Sequence, residues 1–161
     1  MPFQAFYDQH RIAVLRLLVA MVGPDRAQDC FQDAFCKALA AWPPRSAERL
    51  GAWMLTIAHR TALDMLRRPA PEPMDDAELP ERSSDGCEPE VLARLDASDL
   101  WRHVASLPAK QRAAVVLHVV LDQSHRQAAA VLGCSEAAAR RSYADGIAAL
   151  RRTTSTRESA R

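Results

Sequence analysis

The stretch "SHRQAAAVLGCSEAAARRSYADGIAALRR", Ser124 to Arg152, decides the fold. Its apolar residues return every three or four positions, which is the period of a helix, and the pattern is broken once, at "LGCS" from Leu132. A helix of about nine residues, Ser124 to Leu132, a turn containing glycine and a longer helix from Ser135 to Arg152 have the spacing of a helix-turn-helix. Ser135 caps the second helix by accepting from the free amides of its first turn, and Glu136 places a negative charge at the positive end of the helix dipole. At about 100° per residue, Ala139, Tyr143, Gly146, Ile147 and Leu150 fall on one face, and Ala137, Arg141, Ala144 and Ala148 on the other, flanked by Arg140 and Arg151. Taken alone, that second face reads as solvated surface with incidental arginines. Behind a short helix and a turn it reads as a groove-facing surface. The alanines keep the backbone close to DNA, so that guanidinium groups can pair with guanine or phosphate and methyls can touch thymine.

Working outward, the residues before this motif continue in the same style. Helices are predicted over about Glu90 to Ser106 and Ala109 to Leu121, punctuated by "LP" at Leu107 and "LDQS" at Leu121. The N-terminal block is helical too. Phe3, Tyr7, Val14, Leu17, Leu18 and Met21 form one stripe that ends at "GPD", Gly23 to Asp25. A second helix, Asp25 to Trp42, turns Phe31, Ala34, Phe35, Ala38 and Leu39 inward and Asp29, Gln32 and Asp33 outward. A third, Ala47 to Arg68, buries Leu50, Trp53, Met54, Ile57, Ala58 and Met65, and Thr56, Arg60, Leu63 and Arg67 share another face. Arg60, Asp64 and Arg68 also fit a charge ladder of i, i+4 pairs. No β-branched alternation appears, so the expected class is all-α.

The chain has 161 residues, 48% of them apolar, with a net charge of +1 that conceals a partition. Residues 1–70 carry +3, residues 71–90 carry −7, residues 91–152 carry +4 and the remainder +1. The connector from Pro69 to Glu90 holds five prolines and eight carboxylates and almost no large apolar side chains, the composition of a semi-flexible tether. Two small helical domains, 1–68 and 91–152, joined by an acidic Pro-rich linker, 69–90, and followed by a disordered tail, 153–161, are therefore expected. The longest apolar run, Ala113 to Leu121, is far short of the roughly 20 residues a membrane span needs, and the N-terminus lacks a signal sequence, so membrane insertion is not expected and a cytoplasmic location is. Cys30, Cys36, Cys87 and Cys134 have no C-x-x-C spacing and read as buried, reduced thiols rather than a disulfide framework or zinc site. His10, His59, His103, His118 and His125 lack a paired nucleophile or ligand spacing. There is no Gly-rich phosphate loop. Neither catalysis, metal, cofactor nor small-molecule substrate is expected.

Two segments carry a resemblance. "AQDCFQDAFCKALAAW" at Ala27 and "ERLGAWMLTIAHRTALDMLRR" at Glu48 resemble the promoter-opening domain of ECF-type (extracytoplasmic function) sigma factors, a branch of the sigma-70 family of bacterial RNA polymerase. "LPAKQRAAVVLHVVLDQSHRQAAAVLGCSEAAARRSYADGIAALRR" at Leu107 resembles their upstream-element domain. Both lie in the family's order and separation, and together they span most of the chain outside the connector.

The resemblance implies a transcription initiation factor that binds core RNA polymerase, recognises the -10 and -35 promoter elements and promotes melting. Asp29, Gln32 and Asp33 would dock on the clamp helices of the largest polymerase subunit, and the C-terminal domain on the flap. Trp42 and Arg45, in the segment matching the loop that captures a flipped base, would meet the -10 element together with Arg60, Arg67 and Arg68 of the following helix. Ser135, Glu136, Arg140, Arg141 and Ala144 would face the -35 element, with Arg126 on a phosphate. The acidic connector would thread toward the active-site cleft, and an anti-sigma factor is a further expected partner. Trp42 also fits a core-capping role. The chain departs from the family at Ser142 and Asp145, where basic residues are usual, and at Gln127 to Ala129, "QAA" in place of "EIA", which implies a less apolar packing there. The alternative reading is a stand-alone helix-turn-helix regulator whose N-terminal helices dimerise or bind a partner.

Overall fold

The computed structural model describes residues 1–46, 48–69 and 99–160, and among these the regular structure is entirely helical. The expected linker beyond Pro69, the start of the predicted helix at Glu90 and Cys87 lie outside the described residues. Helix α1 (Phe3–Val22) meets α2 (Pro24–Ala40) at Gly23, and Pro24 takes the first helical position, where a missing amide costs nothing. Helix α3 (Leu50–Arg67) closes the first half. Phe6, Leu17, Leu18, Met21, Cys30, Phe31, Met54 and Ala58 are buried where the three helices meet. Leu39, expected inside, is 55% exposed, in the last turn of α2 one residue before its end.

The second half comprises α4 (Asp99–Ser106), α5 (Ala109–Val115) running into a π-helical turn (Val116–Val120), α6 (His125–Leu132) and α7 (Glu136–Ser159). The π turn was not foreseen. The Leu121 amide donates to the Val116 carbonyl at 3.1 Å, and the Gln123 amide donates to the Leu117 carbonyl at 2.9 Å. This wider coil leaves Val119 exposed, and π turns of this kind often mark functional places. Helix α7 does not stop at Arg152. It runs on to Ser159, so the tail expected to be disordered is helical over most of its length. No Gly or Pro follows Gly146 to break it, and the hydroxyls of Thr153, Thr154 and Thr156 bond back to carbonyls of the preceding turn.

The two halves share one core. Val104, Ala113, Val116, Leu117, Ala128 and Val131 belong to the same buried cluster as the residues of α1 to α3. Helix α6 lies against α3, and α4, α5 and the π turn lie against α1. This explains why α1 buries Leu15, Val19 and Ala20 in addition to the predicted stripe. The signal was present in the sequence: Ile12 to Val22 contains Arg16 as its one charged residue, and a helix apolar all round is covered all round.

Two arginines tie helix ends across elements. Arg26 donates to the Met65 carbonyl near the end of α3 at 2.7 Å. Arg112 of α5 donates to the Leu107 carbonyl at 2.8 Å and also to the Met21 carbonyl of α1. Met21 and Met65 lie in the last turns of α1 and α3, at the negative end of each dipole, where a guanidinium suits the carbonyls.

Candidate nucleic-acid interface

Local sequence builds the helix-turn-helix at each joint. Ser124 caps α6 through a reciprocal pair: its hydroxyl accepts from the Gln127 amide at 3.1 Å, and the Gln127 side-chain oxygen accepts from the Ser124 amide at 2.8 Å. Gln127 is therefore a capping residue, a role visible as S-x-x-Q but read from sequence only as reduced packing. Ala128 and Ala129 beside it are buried. Gly133 ends α6 in the left-handed region at φ 67°, and the Cys134 amide returns to the Ala129 carbonyl. Ser135 then caps α7 by accepting from the Ala138 amide at 3.1 Å, as expected.

On α7 the two faces separate as predicted. Ala139 and Gly146 are buried, whereas Ala137, Arg140, Arg141, Ala144, Ala148 and Arg151 are exposed. Arg140 is held by Glu136 at 2.9 Å, one turn back. Arg126, on α6, is exposed and lines a cleft of about 930 Å³ between the two halves, opposite His10, Glu48 and Arg49. An aromatic cluster, absent from the sequence reading, fixes α7 from behind. His118 and His125 stack at 4.2 Å with planes 8° apart, and Tyr143 meets them edge-on at 4.6 Å and tilted at 5.1 Å. The Gln123 carbonyl lies 2.8 Å from His118 Nδ1.

In the first half, Asp29 and Gln32 are exposed and Asp33 is half-buried, on one side of α2. Asp33 pairs with Lys37 at 3.0 Å, whose ammonium also reaches Thr61 Oγ1 at 3.4 Å. Arg45, Arg60, Arg67 and Arg68 are all exposed, and Arg67 pairs with Asp64 at 3.6 Å. Trp42 occupies the core-capping place that was its other reading. It is half-buried and packs against Phe6 at 4.8 Å, Phe3 at 5.4 Å and Trp53 at 6.3 Å. The cleft of about 760 Å³ beside this loop is lined by Pro43, Pro44, Arg45, Trp53 and Thr56 among others, so the tryptophan facing it is Trp53, expected in the core. The cysteines differ as well. Cys30 is buried, with its thiol pushed up to about 11 chiefly by burial, but Cys36 and Cys134 are exposed.

Among the described residues no group of histidines, cysteines and carboxylates could hold a metal ion, and no helix is long and apolar enough to cross a membrane.

Known proteins match this arrangement at three levels. The family description "Sigma-70 region 2" matches residues 6–70, and "Sigma-70, region 4" matches residues 98–150. The ECF RNA polymerase sigma factor SigC of Mycobacterium tuberculosis is 30% identical over 140 residues, covering 81% of this chain and 71% of that protein. An uncharacterized protein of Rhizobium meliloti, R00370, is 32% identical over 124 residues, 71% of this chain, and the matched part spans only 29% of that longer relative. In fold, the sigma factor RpoE of Bartonella quintana, solved in complex with the anti-sigma factor NepR, superposes with a TM-score of 0.71 at 20% identity, covering 93% of this chain and 94% of that one. With both sigma regions in order on one helical chain, and a named ECF factor similar along most of its length, this protein belongs to the sigma-70 family, in its ECF branch.

Proposed function

We propose that the chain works as an initiation factor by dividing two tasks between its halves. The α2 face carrying Asp29, Gln32 and Asp33 docks on core RNA polymerase. The loop after α2 and the exposed side of α3 meet the -10 element: Arg45, Arg60, Arg67 and Arg68 neutralise the strand backbone, and the cleft lined by Arg45, Trp53 and Thr56 receives an extruded base. Melting needs both cations and a stacking surface, and these residues supply them. Trp42 acts from beneath, supporting that cleft through Trp53. On α7, Arg140, Arg141 and Ala144 face the -35 element, with Ser135, Glu136 and Arg126 at the edge of the same surface. Phosphate contacts set register there and base contacts discriminate.

The observation that carries this reading is the exposed arginine and alanine face of α7 on the same chain as a region 2 half. A stand-alone regulator would leave that first half unexplained. As a factor acting through the polymerase, the protein has no catalytic activity of its own and works in the cytoplasm, where an anti-sigma factor restrains it, a reading supported by the likeness to RpoE, which was solved in complex with the anti-sigma factor NepR. The test is transcription in vitro with purified core enzyme on a promoter library. A specific transcript that requires both the chain and core enzyme is expected. Equal promoter binding by the chain alone, with no core-dependent transcript, overturns the proposal.

A further inference from the structure

The stacked histidines have no part in the tasks assigned so far, yet they sit where the two helices of the helix-turn-helix meet. His118 comes from the π turn, His125 is the first residue of α6, and Tyr143 reaches both from α7. A carbonyl only accepts, so the 2.8 Å contact with Gln123 makes Nδ1 of His118 the donor and fixes its ring as a flat seat for His125. His125 itself is only half-buried, and it lies within the electrostatic reach of Arg140 and Glu136 at the start of α7. The cleft against the first half is lined by Ser124 and Arg126 but by neither histidine.

An imidazole stacked on a second one, beside a guanidinium and at the positive end of the α6 dipole, resists taking a proton. Burial first, then His118 and Arg140, hold His125 below its ordinary value, and Glu136 opposes them. A phosphate reverses that balance. In a helix-turn-helix the first helix crosses the DNA backbone while the second lies in the groove, which brings the start of α6 beside the strand. An anion there offsets the field of Arg140 and makes a charge-assisted hydrogen bond to an imidazolium.

We propose that His125 is a proton-linked phosphate contact of the -35 surface: it holds DNA as the imidazolium, drawing one proton from solvent as the complex forms, so that the upstream grip tightens as pH falls. This rests on the sigma-factor reading, in which α6 and α7 meet the -35 element. The charged and titratable groups facing His125 are His118 from the π turn and Arg140, Glu136 and Tyr143 from α7. Asp122 and Arg126 flank it in the chain, and Glu48 and Arg49 near the start of α3 line the cleft on the Arg126 side. Among these residue types only histidine ordinarily changes charge between pH 6 and pH 8, so His118 is the one competitor for the proton.

The test uses the full chain bound to core RNA polymerase and a promoter fragment recovered by transcription of the library, with binding measured over a range of salt at pH 6 and pH 8. Wild-type binding is expected to tighten roughly fivefold from pH 8 to pH 6, and its log–log salt slope to steepen by about 0.9, the contribution of one more neutralised phosphate. His125→Gln, checked for an intact helical spectrum, is expected to lose both changes. His125→Lys is expected to show the steeper slope at both pH values. His118→Phe, which keeps a flat ring and cannot take the proton, is expected to retain the pH response. Equal wild-type slopes at the two pH values overturn the inference, and this comparison needs no substitution. A pH response that persists in His125→Gln, or a loss of binding in that variant by the same factor at both pH values, overturns it as well, the latter by showing a packing role alone. All of these outcomes leave the sigma reading standing, because the core-dependent transcript that supplied the fragment is already in hand. Absence of any such transcript sinks both.

Discussion

His59 is 5% exposed on α3, next to Arg60, and burial first, then that guanidinium, hold its imidazole below the ordinary value of 6.5. His10 is lowered by burial, and His125 by burial, then by His118 and Arg140 against the opposing pull of Glu136. These side chains stay neutral in the fold while the unfolded chain takes up protons. The stability they hold is thus fully present above pH 6.5 and is lost as pH falls through the lowered values. The urea midpoint is expected to drop between pH 7 and pH 5, and His59→Gln to flatten that dependence. A midpoint unchanged over this window would show that these imidazoles are not linked to folding. The same scale exposes what single residues conceal in a sequence. Trp42 and Trp53 are both half-buried in one aromatic group, and only the path of the loop decides which of them faces the cleft.

At the scale of elements, the helix-turn-helix was legible because each of its joints is made by neighbours in the chain: Ser124 with Gln127, Gly133 with Ala129, Ser135 with Ala138. The crossing of α7 over α5 was legible only as an inward glycine. A Cβ on Gly146 would lie 2.7 Å from Val115 Cγ2 and 3.3 Å from the Gln111 carbonyl, and a buried β-branched side chain cannot swing aside. Gly146→Ala is therefore expected to cost about 1–3 kcal/mol in spite of alanine's better helix propensity. Thermal melts would measure it, and Val115→Ala in the same chain should recover part of the loss. Ser124→Ala, which removes one side of the capping pair, is expected to cost about 1 kcal/mol by the same measurement.

At the scale of the whole molecule the two tasks are separable, because Asp33 and Arg141 stand on different halves. Arg141→Ala is expected to lower initiation at the cognate promoter by roughly tenfold and leave core binding unchanged, in line with the about 1–3 kcal/mol of one base contact. Asp33→Lys should weaken core binding and leave the -35 preference of whatever holoenzyme forms intact. Pull-down with core enzyme beside single-round transcription distinguishes them, and a parallel loss of both activities in either variant would refute the division.

The helical class, the helix-turn-helix and the outward arginines were determined by the sequence alone, since periodicity, caps and turn residues act over a few positions and need no distant partner. Only the tertiary structure decided that the halves share a core, that α1 is covered on both sides and that Arg112 reaches Met21. Those contacts join residues far apart in the chain, 91 positions for Arg112 and Met21, where local pattern carries no information and burial is settled by whichever surfaces meet.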